Sequence, residues 1–315
     1  MKPGLFLHLC GLMAVLSLGG CSGSCGDGGQ QRAGVIQREI RLAVAGSKSE
    51  DPPENIIRDI SIMLFNVAGM LEESRYYEQL PERITMNMMT GAPYTLAVCA
   101  NMSKQLLADS TDKLSAFYTY FAYPDEYSHG MPMSALATVA GEEPSVTILL
   151  CPLLSKVSVR MDRRDLDPGV SIKVRSIQVG NCPRSCRVFG ENACKGLGDV
   201  FPEGFIKSYA QVEGMNIDES PGMSRYVSVY MLENVQGGDL NENACSYIEV
   251  KAEYNSPSCH SKGGEYLVYR FYPGEEDGDY SIRRGTALQF TLHPTGTGLG
   301  DNSWYVDTSA IVDNS

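Results

Sequence analysis

The residues best suited to acid–base or metal chemistry in this 315-residue chain are its four histidines. His129, His260 and His293 each stand alone in sequence typical of turns, and His8 lies in the N-terminal apolar run. The sequence contains no H-E-x-x-H zinc helix, no Walker loop and no Gly-x-Ser-x-Gly nucleophile elbow. We therefore expect neither an enzyme nor a bound cofactor.

One acidic run is rich enough in carboxylates to be compared with a calcium site. Residues 274–279 read Gly-Glu-Glu-Asp-Gly-Asp between two predicted strands. An EF-hand loop spaces its ligands at alternate positions and closes on a glutamate, and this run lacks that spacing. The run is more typical of a hydrated hairpin loop, so we predict no metal there.

The N-terminus has the features of an export signal. Lys2 precedes an apolar run over residues 5–18, which is short for a membrane span and typical of a signal-peptide core. The run ends in Gly-Gly-Cys21, which resembles the lipobox of bacterial lipoproteins; an ordinary secretory signal is the alternative. We predict a signal peptide over 1–21, lipidation of Cys21 and a flexible glycine-rich tether over 22–34.

Export changes what the other cysteines are expected to do. Cys10 lies in the signal and Cys21 would carry the lipid, so an even number of the ten cysteines remains. An oxidising compartment favours disulfides, with buried thiols as the alternative. Zinc is disfavoured because the cysteine cluster has no C-x-x-C pair and no histidine nearby. The candidate disulfide residues are Cys182, Cys186, Cys194, Cys245 and Cys259.

Composition narrows the class of protein. Apolar residues make up 43% and charged residues 20%, which is the range of ordinary globular proteins and excludes a disordered chain or a multi-span membrane protein. The formal net charge is −12, which argues against the phosphate backbone of a nucleic acid as a partner. Abundant glycine, proline and tyrosine favour short strands and tight turns.

Hydrophobic periodicity predicts strands through most of the first half. Residues 36–44 alternate apolar and polar side chains, with Arg38 interrupting the apolar face. Apolar runs at 60–65 and 94–100 predict buried strands. The spacing of apolar and aromatic residues over 111–121 predicts one short helix.

The second half repeats this pattern of strands and long loops. We therefore predict an all-β fold of two tandem β-sandwich domains, residues 35–154 and 155–315, with a minor helix in the first. The strands predicted in the second domain cover residues 156–161, 170–179, 226–232, 247–254, 265–272, 286–292 and 303–307.

Four strings carry a resemblance to a known family. Tyr230, Glu233, Asn234 and Gly237 form a Tyr-x-x-Glu-Asn-x-x-Gly motif, and the other strings are 60–69, 94–101 and 131–134. Together they resemble the fimbrillins, the lipoprotein-derived subunits of type V pili, and the motif is similar to that of one fimbrillin branch. The resemblance covers the whole chain and implies transthyretin-like sandwich domains. Cys151-Pro152 and Gly285 depart from the family pattern.

The resemblance implies assembly into a bacterial surface fimbria. In such proteins a protease removes the first strand of an outer-membrane lipoprotein precursor, and a strand of another subunit takes its place. Here that strand is 36–44, and Arg38 or Arg41 would be cut, with Arg32 and Arg58 as further candidates. The implied partners are other fimbrial subunits and the outer membrane, through the lipid.

Three alternatives stay open at this point. The chain could be a fimbrial tip or anchor subunit, or a non-polymerising surface lipoprotein that binds a glycan or a host protein. Glu233 and Asn234 are expected to brace a loop more than to bind a ligand. The apolar positions of residues 304–312 suit either a donor strand or the last strand of the fold.

Overall fold

The computed structural model describes residues 34–45, 55–120, 122, 127, 130–139, 144–193, 201, 204–213, 222–257, 266–276 and 278–310. These residues form seventeen strands and a short 3₁₀ helix, Thr111–Ala116. The predicted all-β sandwich fold is confirmed. Within the described residues, no helix is long and apolar enough to cross a bilayer.

The strands of the first half are β1 (Val35–Val44), β2 (Ile60–Phe65), β3 (Leu71–Tyr77), β4 (Ile84–Met89), β5 (Tyr94–Ala100), β6 (Tyr118–Tyr120), β7 (Met133–Val139) and β8 (Ser145–Pro152). Seven of them form one sheet in the order β3-β2-β5-β7-β8-β1-β4. Strand β7 joins β8 through only two residue pairs, Met133 with Pro152 and Ser134 with Cys151. The sheet therefore divides into two layers, β3-β2-β5-β7 and β8-β1-β4, which enclose a core.

The strands of the second half are β9 (Leu154–Met161), β10 (Ser171–Pro183), β11 (Ser185–Arg187), β12 (Phe205–Glu213), β13 (Val227–Leu232), β14 (Tyr247–Asn255), β15 (Tyr266–Phe271), β16 (Ala287–Pro294) and β17 (Trp304–Ala310). Eight of them form two four-stranded sheets, β13-β9-β16-β17 and β12-β10-β14-β15. Phe271 on β15 and Phe290 on β16 meet between the sheets, with ring centroids 5.3 Å apart. Tyr269 and Trp304 make a second contact of this kind at 5.5 Å.

The two halves are closely joined. The chain passes from β8 to β9 through Leu153 alone, whose N–H donates to the carbonyl of Pro132 at 2.8 Å. Strand β6 pairs with β11 in a small sheet that links the halves. One continuous cluster of buried apolar side chains runs through both. The division into domains 35–154 and 155–315 therefore stays a prediction, although the large sheets do change at Leu153.

The predicted helix over 111–121 is shorter in the structure. The 3₁₀ helix ends at Ala116, and Tyr118–Tyr120 continues as strand β6. Phe117 packs edge-on against Phe189 from the second half, with centroids 6.5 Å apart. Pairing with a distant strand therefore overrides the local helical spacing of the aromatic residues.

The first strands of the two halves occupy equivalent positions. β1 pairs antiparallel with β4 and parallel with β8. β9 pairs antiparallel with β13 and parallel with β16. Each half thus begins with a strand inserted between two later ones.

Candidate functional site

Strand β1 is the element whose removal the sequence predicts. Its two neighbouring strands pair with different parts of it. Residues 35–40 pair with β4, from Val35 opposite Met89 to Ile40 opposite Ile84. Residues 39–44 pair with β8, from Glu39 opposite Ser145 to Val44 opposite Leu150. Only Glu39 and Ile40 are therefore paired on both sides, so each end of β1 is held by a single neighbour.

The side chains of β1 are buried less than those of a typical interior strand. Only Arg38 and Ile40 are buried among its ten residues, and Val35 is 69% exposed. By contrast, all six residues of β2 are buried. Removing β1 would thus uncover apolar side chains of β4 and β8, such as Met86 and Ile148, at a modest loss of its own buried surface.

Arg38 lies inside the sandwich, where the alternation of β1 directs it. Its side chain is 2% exposed, and no described residue lies within hydrogen-bond distance of Nε or Nη2. The neighbouring carboxylate, Glu39, points the other way and contacts Arg41 at 3.4 Å and Arg83 at 3.9 Å. Burying two guanidinium N–H donors without hydrogen-bond partners is costly, so Arg38 weakens the fit of β1 in its groove.

The four arginines proposed as cleavage sites differ in accessibility. The side chain of Arg41 is 60% exposed, although its backbone pairs with β8. Arg58 is exposed and precedes β2 outside any strand, and its N–H donates to Oδ1 of Asn101 at 2.8 Å. Arg38 is buried within a paired strand, and Arg32 lies outside the described residues, as does Cys21. Of the three arginines that the structure describes, Arg41 and Arg58 are the two that a protease can reach with least rearrangement.

The motif residue Glu233 takes part in a buried ion pair. Its carboxylate accepts hydrogen bonds from Nε and Nη2 of Arg284 at 2.9 and 2.5 Å. Arg284 also donates to the carbonyl oxygens of Val188 at 3.2 Å and Gly190 at 2.7 Å. The N–H of Asn192 donates to the same carboxylate at 2.8 Å. The pair therefore fastens the segment after β11 to the end of β13.

Asn234 continues this network on the other side of the chain. Its Nδ2 donates to the carbonyl of Ala244 and to the hydroxyl of Ser246, both at 2.8 Å. The Gln236 amide donates to Oδ1 of Asn234. The side chains of Asn234, Gln236 and Ser246 are all buried, and their hydrogen bonds go to protein groups. This geometry is that of a brace and leaves these groups few positions with which to bind a ligand.

The other two motif residues lie at the edges of the network. Tyr230 is half-buried on β13, with the ammonium of Lys156 6.0 Å from its ring centroid. Gly237 has φ of +85°, a left-handed conformation that glycine adopts at little cost. The sequence did not indicate Arg284 or Asn192 as partners of Glu233, because they are 51 and 41 residues away.

The predicted disulfides stay a prediction, and the candidate cysteines that the structure describes have free thiols. Cys182, Cys186 and Cys245 are free and buried, whereas Cys194 and Cys259 lie outside the described residues. Burial raises the pKa of the Cys182 and Cys186 thiols to about 12. These side chains behave as small apolar residues of the core, the alternative that the sequence had left open.

Metal binding finds no support in the described part of the chain, where no group of three or more His, Cys, Asp and Glu side chains is placed to hold an ion. The carboxylate of Asp279 in the acidic run accepts the N–H of Ser281 at 3.0 Å and pairs with Arg283 at 3.0 Å. Its hydrogen-bonding capacity is thus used within the turn.

The C-terminal segment forms an edge strand. Residues 304–310 pair with β16, from Trp304 opposite Pro294 to Ala310 opposite Leu288. Trp304 and Val306 pack against the core. In this arrangement β17 is the last strand of the second half; residues 311–315 lie outside the described residues.

Comparison with known proteins shows a likeness of fold to solved structures. No protein-family model matches the chain, and no curated protein is significantly similar to it in sequence. Among solved structures, a fimbrillin (FimA) from Porphyromonas gingivalis superposes with a TM-score of 0.60 at 12% identity, over 88% of this chain and 96% of that one. The chain has the fimbrillin fold.

Two further structures share that fold over a similar length. The tip fimbrial protein Mfa3 from Porphyromonas gingivalis, with a C-terminal truncation, has a TM-score of 0.54 at 11% identity, over 88% of this chain and 98% of that one. A protein from Bacteroides eggerthii assigned to cell adhesion has a TM-score of 0.55 at 15% identity, over 88% and 94%. The likeness spans both halves, and at these identities it concerns the fold.

Proposed function

We propose that this protein is a structural subunit of a bacterial surface fimbria, exported as a lipoprotein and assembled by strand exchange. It acts by association, without catalysis or a cofactor, and its partners are other fimbrial subunits. The fimbrillin fold supports this proposal, and the observation that carries it is the state of β1. That strand is inserted between β4 and β8, held by one neighbour at each end and little buried.

Assembly follows from what the departure of β1 would expose. The facing edges of β4 and β8 would present unpaired N–H and C=O groups beside apolar side chains. A strand from another subunit restores the backbone hydrogen bonds, which supply general affinity, while its alternate side chains fill the core positions. The register is set by which side chains face inward, because a slip of one residue reverses the faces.

Processing is assigned to an arginine-specific protease. Cleavage after Arg58 would separate all of β1 from β2, whereas cleavage after Arg41 would leave residues 42–44 paired with β8. Both arginines have exposed side chains. We therefore assign the cut to Arg58 or Arg41 in preference to the buried Arg38.

Lipidation at Cys21 would place the precursor at the outer membrane before assembly. The Gly-Gly-Cys21 string after an apolar core supports this step, and residues 22–34 would serve as the tether. Removing β1 would also release the protein from its lipid, because the lipid lies on the discarded side of the cut.

A tip or anchor role is the second candidate, and the shared fold with a tip fimbrial protein favours keeping it. A stalk subunit needs both a removable strand and a free donor strand, whereas a tip needs only the acceptor groove. A non-polymerising surface lipoprotein that binds a glycan or a host protein would keep β1 in place.

The mass and N-terminal sequence of the protein recovered from the cell surface separate these roles. We expect a mature chain that begins at Leu42 or Asp59, without the lipid. A surface form that still carries Cys21, its lipid and β1 would rule out the stalk role.

A further inference from the structure

Arg38 is buried on the strand that is proposed to leave, its Nε and Nη2 lack hydrogen-bond partners, and the first strand of the second half carries no such residue. Strand β9 occupies the equivalent position there, and six of its eight residues are buried against two of ten on β1. The charged residues of β9 are half-exposed and have partners. Arg160 donates to the hydroxyl of Thr291 at 3.0 Å and lies over the ring of Tyr226 at 4.4 Å.

The surroundings of Arg38 are apolar on the β4 side. Arg38 is paired with Met86, and the neighbouring pairs join Ile36 to Met88 and Ile40 to Ile84. These three β4 side chains are buried. Paired residues in a sheet point to the same face, so the guanidinium lies on the face that these apolar side chains occupy.

We propose that Arg38 weakens the binding of β1 in the groove between β4 and β8. The same groove then binds a partner strand more tightly when that strand has an aliphatic or thioether side chain at the position of Arg38. This inference rests on the proposed strand exchange. The incoming strand makes the same backbone hydrogen bonds as β1 and removes one buried unpaired charge, so the exchange is favourable without a new contact elsewhere. The mismatch thus gives the exchange its direction.

The same mismatch explains how one sequence can serve both as a folded precursor and as an assembly unit. A strand that fitted as well as β9 would have to be displaced at a large cost. Because Arg38 weakens β1, the processed strand dissociates readily, whereas its covalent link to β2 retains it in the intact precursor. Charge on an otherwise inward-facing strand position also disfavours premature pairing between precursors.

The test is hydrogen exchange of the β1 amides in the full chain, followed by mass spectrometry. We expect Arg38→Met to slow exchange in residues 35–44 at least tenfold, and Arg38→Leu to act in the same direction. Arg38→Lys keeps the charge and should not slow exchange. Arg41→Met adds the same side chain on the opposite, exposed face and should change exchange by less than twofold.

An unchanged or faster exchange in both Arg38→Met and Arg38→Leu would overturn the inference, as would an equal slowing by Arg41→Met.

The preference of the groove for its partner strand is tested with two labelled peptides of residues 35–44. One peptide has the native sequence and the other carries Arg38→Met, and each is added to the chain after protease treatment. We expect the substituted peptide to bind at least tenfold more tightly. Equal or weaker binding would overturn the inference.

Failure of the proposed function gives a different result. If neither peptide binds and the processed chain stays monomeric, strand exchange is refuted. Hydrogen exchange in the intact chain then still decides whether Arg38 weakens β1, because that measurement requires neither cleavage nor a partner.

Discussion

Glu233 and Arg284 show how single residues hold the second half together. The pair is buried, with 6% and 15% of the two side chains exposed, and its hydrogen bonds reach backbone groups of Val188, Gly190 and Asn192 in the segment after β11. Breaking such a pair leaves one charge buried without compensation, which costs far more than the pair itself contributes. The motif residues are therefore expected to act on stability.

The substitution Glu233→Gln tests this role. We expect it to lower the free energy of unfolding by about 3 kcal/mol, because Arg284 stays buried without its counter-charge. Urea denaturation measures the change. The matched control is Glu73→Gln, which removes a half-exposed partner of Arg75 and should cost less than about 1 kcal/mol. Equal effects of the two substitutions would contradict a structural role for the buried pair.

The thiols of Cys182 and Cys186 provide a second test at the scale of residues. Their pKa values are raised to about 12, so at pH 8 the protonated thiol dominates and only about one in ten thousand is ionised. Since the thiolate is the reactive form, iodoacetamide should leave both residues unmodified in the native protein and label them in urea. Rapid native labelling, or a disulfide at either residue, would show that the thiols are not buried as described.

Lipidation is also decided by one residue. Cells grown with a fatty-acid analogue should label the wild-type protein, and Cys21→Ala should lose the label while Cys25→Ala keeps it. Label that persists in Cys21→Ala would show that the chain is anchored in some other way.

Among the elements, β1 is notable for two features. Each of its ends pairs with only one neighbouring strand, and it carries the buried Arg38. The exposure of the arginine side chains on and after β1 predicts which of them a protease cuts. We expect an arginine-specific protease to cut the wild-type chain and the Arg38→Ala variant alike, because Arg38 is buried in a paired strand. The double substitution Arg41→Ala with Arg58→Ala should keep β1 attached to the rest of the chain. Peptide mapping locates the cut, and a primary cut at Arg38 would mean that β1 detaches before processing.

Sequence periodicity was sufficient to predict the position of strands that bury alternate or continuous apolar side chains. β1, β2, β5 and most strands of the second half were predicted close to their observed bounds. β3 was not predicted, because this edge strand is only half-buried and carries glutamates and an arginine. β6 and β11 are three residues each and are defined by their pairing with each other, which local patterns do not show.

The surroundings of Arg38 and Glu233 were predictable only in part, because they depend on residues that are distant in the sequence. Alternation placed Arg38 on the inward face, yet only the structure shows that no described residue pairs with it. Glu233 was identified by its motif, whereas its partners Arg284 and Asn192 are separated from it by long stretches of chain. Pairings over such separations depend on the fold as a whole.

At the scale of the whole molecule, one apolar core runs through both halves, and the chain carries a net charge of −12. Copies of such a chain repel one another, and the repulsion is screened over about 8 Å at physiological ionic strength. Assembly therefore requires a specific and strong contact to overcome a general repulsion. In the proposed assembly, an exchanged strand would provide this contact through its backbone hydrogen bonds and buried side chains.

Size-exclusion chromatography with light scattering, before and after treatment with an arginine-specific protease, tests the central claim most directly. At about 0.15 M ionic strength, the intact chain should be a monomer and the processed chain a ladder of oligomers, visible as filaments by electron microscopy. The double variant Arg41→Ala with Arg58→Ala should stay monomeric throughout. A processed wild-type chain that loses β1 and remains a stable monomer would contradict the account of a polymerising subunit.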